Sequence, residues 1–208
     1  MSTGRFIAFE GGEGAGKSTQ ARLLVDALRQ RVIEAVLTRE PGGTGGAEAI
    51  RKLLLANEGE GWNWRAEALL FAAARSDHVE RLIRPALASG RWVICDRFVD
   101  SSRAYQGGAG GLSDQDICKL HQIGSNGLLP DLTVLVTVAP EIAEQRLTVR
   151  DAGVSDRIGA RPRDYHVSVA AAFVRIAQEE PDRFAVVDGN GTAEATHALI
   201  MQAIERLL

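Results

Sequence analysis

The chain has 208 residues, of which 45% are hydrophobic and 25% charged, and this composition excludes disordered and fibrous proteins. Its 24 lysines and arginines against 27 aspartates and glutamates give a net charge of −3, which argues against a nucleic-acid partner. The two cysteines fit no metal-binding spacing, and no apolar run reaches the roughly 18 residues of a membrane span. We therefore expect a cytoplasmic protein with no membrane partner.

Apolar runs alternate with helical patterns along the whole chain. The runs at 5–9, 33–38, 92–95, 132–138 and 184–187 predict five buried strands. Helices are predicted at 17–31, 46–56, 64–89, after Ser113, from Pro140, and at 192–208, with a kink or break at Pro85. Strands separated by helical crossovers predict a parallel α/β sheet that is covered on both faces.

Three segments have no apolar periodicity. Residues 57–63 predict a surface loop, and the glycines at 107–111 predict a flexible loop. Residues 151–163 are rich in arginine and predict a mobile segment outside the regular elements.

The segment from Gly11 to Ser18 fits the phosphate-binding loop (P-loop) pattern G-x-x-x-x-G-K-[ST], directly after a predicted strand and before a predicted helix. Glycines let backbone N–H groups converge on phosphate oxygens, and the helix N-terminus adds positive potential. Lys17 is expected to neutralise the β- and γ-phosphates of ATP, and Ser18 to bind Mg²⁺. The predicted ATP-binding residues are Gly11, Gly12, Glu13, Gly14, Ala15, Gly16, Lys17, Ser18 and Thr19.

Asp96 ends the third predicted strand, where a carboxylate orients Mg²⁺ through water in P-loop proteins. The alternative is an aspartate that only caps a turn. The guanine signature N/T-K-x-D is absent from the sequence, which argues against a GTPase.

Several blocks of sequence resemble the thymidylate kinase family, in the family's order. They are Phe-Glu-Gly at 9–11, Thr-Arg-Glu-Pro-Gly-Gly-Thr at 38–44, Phe71 with Arg75, Asp-Arg-Phe at 96–98, Ala-Tyr-Gln-Gly-Gly at 104–108, and Leu-Pro-Asp-Leu-Thr at 129–133. The P-loop with Gly14 and Ala15 is similar to the bacterial type. The resemblance implies transfer of the γ-phosphoryl group of ATP to dTMP, with Mg²⁺ as cofactor, by a homodimer.

The resemblance also implies the architecture. We expect one domain over residues 1–208, with a P-loop NTPase-like three-layer α/β fold, a parallel five-stranded sheet and a lid at about 150–164. The acceptor dTMP would be bound by Glu13, Arg39, Phe71, Arg75, Arg97, Ser102, Tyr105 and Gln106.

The family pattern gives most of these residues a role. Arg39 and Arg97 would bind the monophosphate, since a guanidinium suits phosphate geometry. Phe71 would stack on thymine, Arg75 would donate to a base carbonyl, and Ser102 would face the base edge. Tyr105 would pack against the sugar, and Glu13 would contact the 3′-hydroxyl. Without the resemblance, Phe71 reads as a core aromatic and Arg75 as the solvated side of a helix.

The lid departs from the bacterial pattern. Ala152 stands where an arginine is common, and Gly159 replaces a glutamate. Arg150, Arg157, Arg161 and Arg163 remain as candidates to balance charge on the transferring group, with a solvated basic loop as the alternative. Arg157 is the first choice because it keeps the family's Asp-Arg pair, and Arg150 the second. The expected catalytic set is Glu13, Lys17, Arg97 and Arg157.

Two other functions stay open. One is a kinase that acts on a different nucleoside or nucleotide. The other is a non-catalytic nucleotide switch, against which the paired arginines Arg39 and Arg97 argue, since a switch needs no second phosphate site. The four histidines show no metal-binding spacing.

Overall fold

Five parallel strands form the central layer of the protein. A computed structural model describes residues 4–57, 59–151 and 156–208. The strands are β1 (Phe6–Glu10), β2 (Ala35–Arg39), β3 (Trp92–Asp96), β4 (Leu132–Thr137) and β5 (Phe184–Asp188). They lie in the order β2-β3-β1-β4-β5, which confirms the predicted parallel five-stranded sheet.

Helices connect the strands. They are α1 (Lys17–Gln30), α2 (Gly45–Leu55), α3 (Trp64–His78), α4 (Arg84–Ala88), α5 (Val99–Ser102), α6 (Asp114–Ser125), α7 (Pro140–Asp151), α8 (Arg163–Glu179) and α9 (Ala193–Ile204). Ser113 caps α6 by accepting a hydrogen bond from the Asp116 N–H, as predicted. Among the described residues, no helix has the length and apolar character needed to cross a lipid bilayer.

The central strand β1 is completely buried, and its side chains alternate between two cores. Ile7 and Phe9 pack on one face with α1 and α9. Phe6 packs on the other face, with Phe98 at its ring edge. Helices therefore cover both faces of the sheet, which gives the three layers that the sequence predicts.

Helix α3 continues into α4 through a π-helical turn, Val79–Ile83. The Arg84 N–H donates to the carbonyl of Val79, five residues earlier, directly before Pro85. Because proline has no N–H and cannot fit the regular ladder, the wider turn lets the chain pass Pro85 without ending the helix. The predicted helix is thus present, and its irregularity lies just before the proline.

The prediction of a flexible loop at 107–111 is wrong for residues 107–109. Residues Arg103–Ala109 form a π-helical segment that extends α5, and the chain leaves it only at Gly110. A side chain at Gly108 would overlap the Cβ of Ala172 on α8, so the glycine permits close packing of the two helices. Tertiary packing has overridden the local tendency of a glycine run to form a loop.

Of the predicted mobile segment at 151–163, the structure describes Asp151, which ends α7, and residues 156–163. Asp156 begins a turn in which its carboxylate accepts hydrogen bonds from the N–H groups of Ile158 and Gly159, at 3.0 and 2.9 Å. Ala152, Gly153 and Ser155 lie outside the described residues, as does the Arg150 side chain.

Candidate active site

The P-loop connects β1 to α1 at the carboxyl edge of the sheet. Gly14 has a φ of 73°, in the left-handed region, and a Cβ there would lie 2.6 Å from the Ala143 carbonyl oxygen. Only glycine fits this combination. The Lys17 side chain folds back over the loop, and its Nζ donates to the Gly12 carbonyl at 2.6 Å. Burial and, after it, the positive charge of Arg97 together lower the pKa of Lys17 to about 8.

Ser18 and Asp96 meet beside the loop, as the sequence predicts. The Ser18 hydroxyl donates to Oδ2 of Asp96, the last residue of β3. Hydroxyl and carboxylate oxygens are the ligands that Mg²⁺ prefers, so these two residues fit a magnesium ion. Within the described part of the chain, no group of three or more histidine, cysteine, aspartate or glutamate side chains is arranged to hold a metal ion.

Arg97 brings two further predicted residues to the loop. Its Nη2 donates to Oε1 of Glu13 at 2.6 Å and to the Tyr105 hydroxyl at 3.1 Å. Its Nη1 donates to the Gly11 carbonyl and to Oγ of Ser101, both at 3.1 Å. The guanidinium also lies 5.0 Å from the centre of the Tyr105 ring. The backbone of Arg97 is left-handed, with a φ of 71°, which is uncommon for a residue with a side chain.

Glu10 fixes the segment that follows Arg97. One carboxylate oxygen accepts from the N–H groups of Phe98 and Ser101 at 2.8 and 2.9 Å, and the other from the Ser101 hydroxyl at 2.6 Å. The side chain is fully buried. Burial and, after it, the negative charge of Asp100 raise the pKa of Glu10 to about 7, against the opposing effect of Arg97.

Arg75 is buried, so the alternative of a solvated helix side is wrong. Its Nε donates to Glu40 at 2.7 Å, and its Nη2 donates to Oγ of Ser102 at 3.0 Å and to the Phe98 carbonyl at 3.2 Å. His78 contacts the other oxygen of Glu40 at 3.0 Å. Arg75 thus fixes Glu40 and Ser102 through hydrogen bonds. Its contact with a base stays a prediction.

Most of the residues predicted for dTMP surround one cavity of about 360 Å³. We call it the acceptor cavity. The predicted residues that line it are Glu13, Lys17, Ser18, Arg39, Phe71, Asp96, Arg97, Ser102, Tyr105 and Gln106. Arg39, the last residue of β2, reaches it while its Nη2 donates to Glu48 at 3.1 Å.

Arg51 also lines the acceptor cavity, although sequence reasoning missed it. Its Nη1 donates to the Pro41 carbonyl at 2.8 Å. Burial lowers the pKa of Arg51, as does the charge of Arg39. The signal available in the sequence was an arginine on the helix that directly follows the Arg-Glu-Pro-Gly-Gly-Thr block.

A second cavity of about 450 Å³, the nucleotide cavity, lies on the other side of Lys17. It is lined by P-loop residues Gly14 to Thr19 and by the loop after β5. Arg146 on α7 lines it too, and its Nη2 donates to the carbonyls of Gly189 and Gly191 at 2.9 and 3.1 Å. Arg146 lies in none of the sequence motifs and precedes the predicted lid, so no signal in the sequence marks it. Gly11, Gly12 and Glu13 line a neighbouring apolar cavity between α7 and α8.

Lys17 and Ser18 line both the acceptor cavity and the nucleotide cavity. Two cavities that meet at the P-loop lysine give room for two phosphate-bearing ligands with their phosphates facing each other. The site therefore has the geometry of a transfer site, and a switch would need only one of the two cavities.

Three of the predicted lid arginines have described side chains, and they lie in different places. Arg157 donates from Nε to the Ala56 carbonyl at 2.6 Å. Arg161 pairs with Glu67 at 2.5 Å. Arg163 lies 3.7 Å from Glu144 and is exposed. The structure therefore does not place these three arginines in one common site.

The fold and the paired cavities define a P-loop kinase of small phosphorylated substrates. The family model described as "Thymidylate kinase" matches residues 9–200. The chain belongs to the thymidylate kinase family.

Relatives and a solved structure agree with this assignment. The chain is 54% identical over 205 residues to thymidylate kinase of Rhizorhabdus wittichii, with 99% of each chain covered. It is 50% identical over 208 residues to the same enzyme of Rhodopseudomonas palustris strain TIE-1, with 99% of this chain and 90% of the relative covered. The crystal structure of thymidylate kinase from Ehrlichia chaffeensis superposes with a TM-score of 0.79 at 30% identity, with 97% and 99% coverage.

Proposed function

We propose that the acceptor cavity binds dTMP, that the nucleotide cavity binds ATP, and that the γ-phosphoryl group passes between them beside Lys17. Family membership gives the overall reaction: the chain phosphorylates dTMP with ATP and releases dTDP and ADP. The observation that carries the assignment of the cavities is that Lys17 and Ser18 line both of them.

The acceptor phosphate binds among Arg39, Arg51 and Arg97, which line one cavity and present planar donors to an anion. In the structure, Arg97 donates to Glu13. A bound phosphate competes with Glu13 for this guanidinium, which is already positioned. The Glu13 carboxylate then accepts a hydrogen bond from the 3′-hydroxyl of the sugar. Positive charge from three arginines offsets the repulsion between acceptor and donor phosphates.

The remaining wall of the acceptor cavity binds the nucleoside. Phe71 is half-buried and stacks on thymine, while Ser102 and Gln106 supply polar atoms at the base edge. The Tyr105 ring is fixed by Arg97 and packs against the deoxyribose, where it leaves no room for a 2′-hydroxyl.

Catalysis is mostly positioning and charge neutralisation. A phosphate oxygen of dTMP attacks the γ-phosphorus directly, so no side-chain nucleophile is required. Lys17 keeps positive charge at the transferring group because a bound triphosphate favours its protonated form. Ser18 and, through water, Asp96 would hold Mg²⁺, which supplies further charge neutralisation when bound.

Arg157 completes the proposed catalytic set. It lies between Asp156 and Ile158, both of which line the acceptor cavity. Arg157 itself donates to the Ala56 carbonyl, so the proposed role requires its guanidinium to leave that contact and reach the transferring group.

We also propose a homodimer that functions in the cytoplasm. Leu69 on α3 and Ile123 on α6 are large apolar side chains with 56% and 83% of their surface exposed, on helices that pack together. A second copy would cover them. The cytoplasm is supported by Cys95 and Cys118, which are both free thiols.

Turnover with dTMP, dUMP, dCMP and UMP at equal concentration tests the function. We expect dTDP and ADP in equal amounts from dTMP, and the highest kcat/KM for that substrate. The Lys17→Ala variant should retain the fold and lose on the order of a hundredfold in kcat. A preference for another monophosphate would support a different nucleotide kinase, and no ADP release with any monophosphate would support a switch.

A further inference from the structure

Glu67 is a buried carboxylate that the proposed reaction does not use. It lies in the first turn of α3 and is 1% exposed. Its Oε1 accepts a hydrogen bond from Nε2 of Gln106 at 2.8 Å, and its Oε2 accepts one from Nη2 of Arg161 at 2.5 Å. The two carboxylate oxygens therefore join the wall of the acceptor cavity to the segment just before α8.

Arg161 is fixed on several sides. Its guanidinium lies 4.5 Å from the centre of the Trp64 ring and 4.7 Å from that of the Tyr165 ring. Its Nη1 donates to the Tyr165 hydroxyl at 2.5 Å, and that hydroxyl donates to the Tyr105 carbonyl at 3.1 Å. Such a side chain is positioned to hold Glu67 still, which is a different role from the one predicted for it in the lid.

The contact with Glu67 determines which end of the Gln106 amide faces the cavity. A carboxylate paired with a guanidinium only accepts hydrogen bonds, so the amide nitrogen of Gln106 must face Glu67. Gln106 also lines the acceptor cavity. Its Oε1, an acceptor, is then the polar atom that it can present to a bound base.

We propose that Glu67 is a positioning residue for base selection: held by Arg161, it fixes Gln106 so that an oxygen, and not a nitrogen, meets the pyrimidine. This inference rests on the proposed binding of dTMP in the acceptor cavity. The ring nitrogen N3 of thymine carries a hydrogen and can donate to that oxygen, whereas N3 of cytosine is an acceptor and would face it with a lone pair. Glu67 thereby favours thymine over cytosine through Gln106.

The first experiment compares dTMP with 5-methyl-dCMP, which keeps the methyl group and changes the hydrogen-bonding edge. In Glu67→Gln, the new amide can donate as well as accept, so Gln106 is free to turn over. We expect the ratio of kcat/KM for dTMP to that for 5-methyl-dCMP to fall at least about fivefold. Both substrates are measured on one preparation, so the ratio is independent of the fraction of folded enzyme.

A double-mutant cycle with Gln106→Leu shows whether Glu67 acts through Gln106. If it does, Glu67→Gln should change the ratio by less than about twofold once Gln106 is leucine. Effects of the two substitutions that add in full would overturn the proposal, since a merely structural Glu67 does not depend on the side chain at 106. Glu144→Gln, which removes the carboxylate of the exposed pair with Arg163, is the matched control and should leave the ratio unchanged.

Two variants of Arg161 keep the test independent of whether Glu67→Gln folds. Arg161→Lys retains a positive charge beside Oε2, although not the stacked guanidinium, and should lower the ratio less than Arg161→Met does. Arg161→Met removes the donor, frees the carboxylate to rotate, and should lower the ratio at least about threefold. Equal ratios in the two variants would overturn the proposal. Failure of the wild-type protein to phosphorylate dTMP would instead overturn the proposed function.

Discussion

Arg97 joins three parts of the site through one side chain. It contacts the P-loop at Gly11 and Glu13, the α5 segment at Ser101, and the acceptor cavity at Tyr105. Its left-handed backbone turns the side chain back toward the loop immediately after β3 ends. The Asp-Arg-Phe motif indicates that an arginine is needed, but the ion pair with Glu13 could not be predicted from it. That pair joins residues 84 positions apart, and only the parallel pairing of β1 with β3 brings them together.

Arg97→Lys is expected to impair the use of dTMP more than the use of ATP. An ammonium is a point charge and cannot replace the planar donors that contact Glu13, Tyr105 and the acceptor phosphate. We expect kcat/KM for dTMP to fall by about tenfold or more relative to that for ATP. Steady-state kinetics with each substrate varied in turn measures both values, and equal losses would remove Arg97 from the acceptor site.

Glu10 is expected to make stability depend on pH. Its pKa in the folded protein is about 7, above the ordinary 4.5, so the folded state holds a proton that the unfolded state has lost. The stabilisation from this group is fully present below pH 4.5 and is lost as the pH rises through 7. The change amounts to at most about 3 kcal/mol.

The Glu10→Gln variant isolates this contribution, since glutamine can keep accepting the two N–H hydrogen bonds and does not titrate. Urea denaturation of wild type and variant, below pH 4.5 and above pH 7, gives the free energies of unfolding. We expect the wild type to lose stability relative to the variant as the pH rises. A constant difference between the two proteins across this range would contradict the assignment.

At the level of elements, the five strands and the P-loop follow from local pattern, and the irregular helices do not. Apolar runs and the strict spacing of the P-loop motif are sufficient to predict β1 and the start of α1 at Lys17. The π-helical segment Arg103–Ala109 depends on contact with α8, at Gly108 and Ala172, far away in the sequence. The same limit explains why Arg51 and Arg146 were missed: no motif marks them, and only the folded chain brings them to the cavities.

The proposed role of Arg157 can be tested by its effect on turnover. An arginine that contacts the transition state contributes to kcat and not to ground-state affinity. Arg157→Ala should lower kcat by roughly 10²–10³, worth about 3–4 kcal/mol, with little change in KM for dTMP. Arg150→Ala is the comparison, because that arginine lies in the last turn of α7. Normal turnover by Arg157→Ala together with loss in Arg150→Ala would transfer the role to Arg150.

For the whole molecule, the parallel sheet explains why one loop can serve two substrates. The carboxyl ends of β1, β2 and β3 lie at one edge, where they place the P-loop, Arg39 and Asp96 side by side. The end of β5 lies at the same edge, and the loop that follows it forms the far side of the nucleotide cavity from Gly189 onward. Open α/β sheets bind ligands at this edge because loops there converge without blocking the strands. The positions of both cavities thus follow from the topology.

The proposed dimer is tested at the exposed apolar face of α3 and α6. Ile123 is 83% exposed, and in a two-fold dimer a charge at this position recurs in both copies of the interface. Ile123→Asp should therefore weaken association on the order of a hundredfold, because like charges and desolvation of a carboxylate both oppose contact. Val32→Asp is the matched control: Val32 is 92% exposed, lies between α1 and β2, and should leave association unchanged. Sedimentation velocity over a range of concentrations measures the monomer fraction of all three proteins, and a wild-type protein that sediments as a monomer throughout would refute the dimer. If the wild type dimerises and Ile123→Asp associates as strongly, the interface lies on another face.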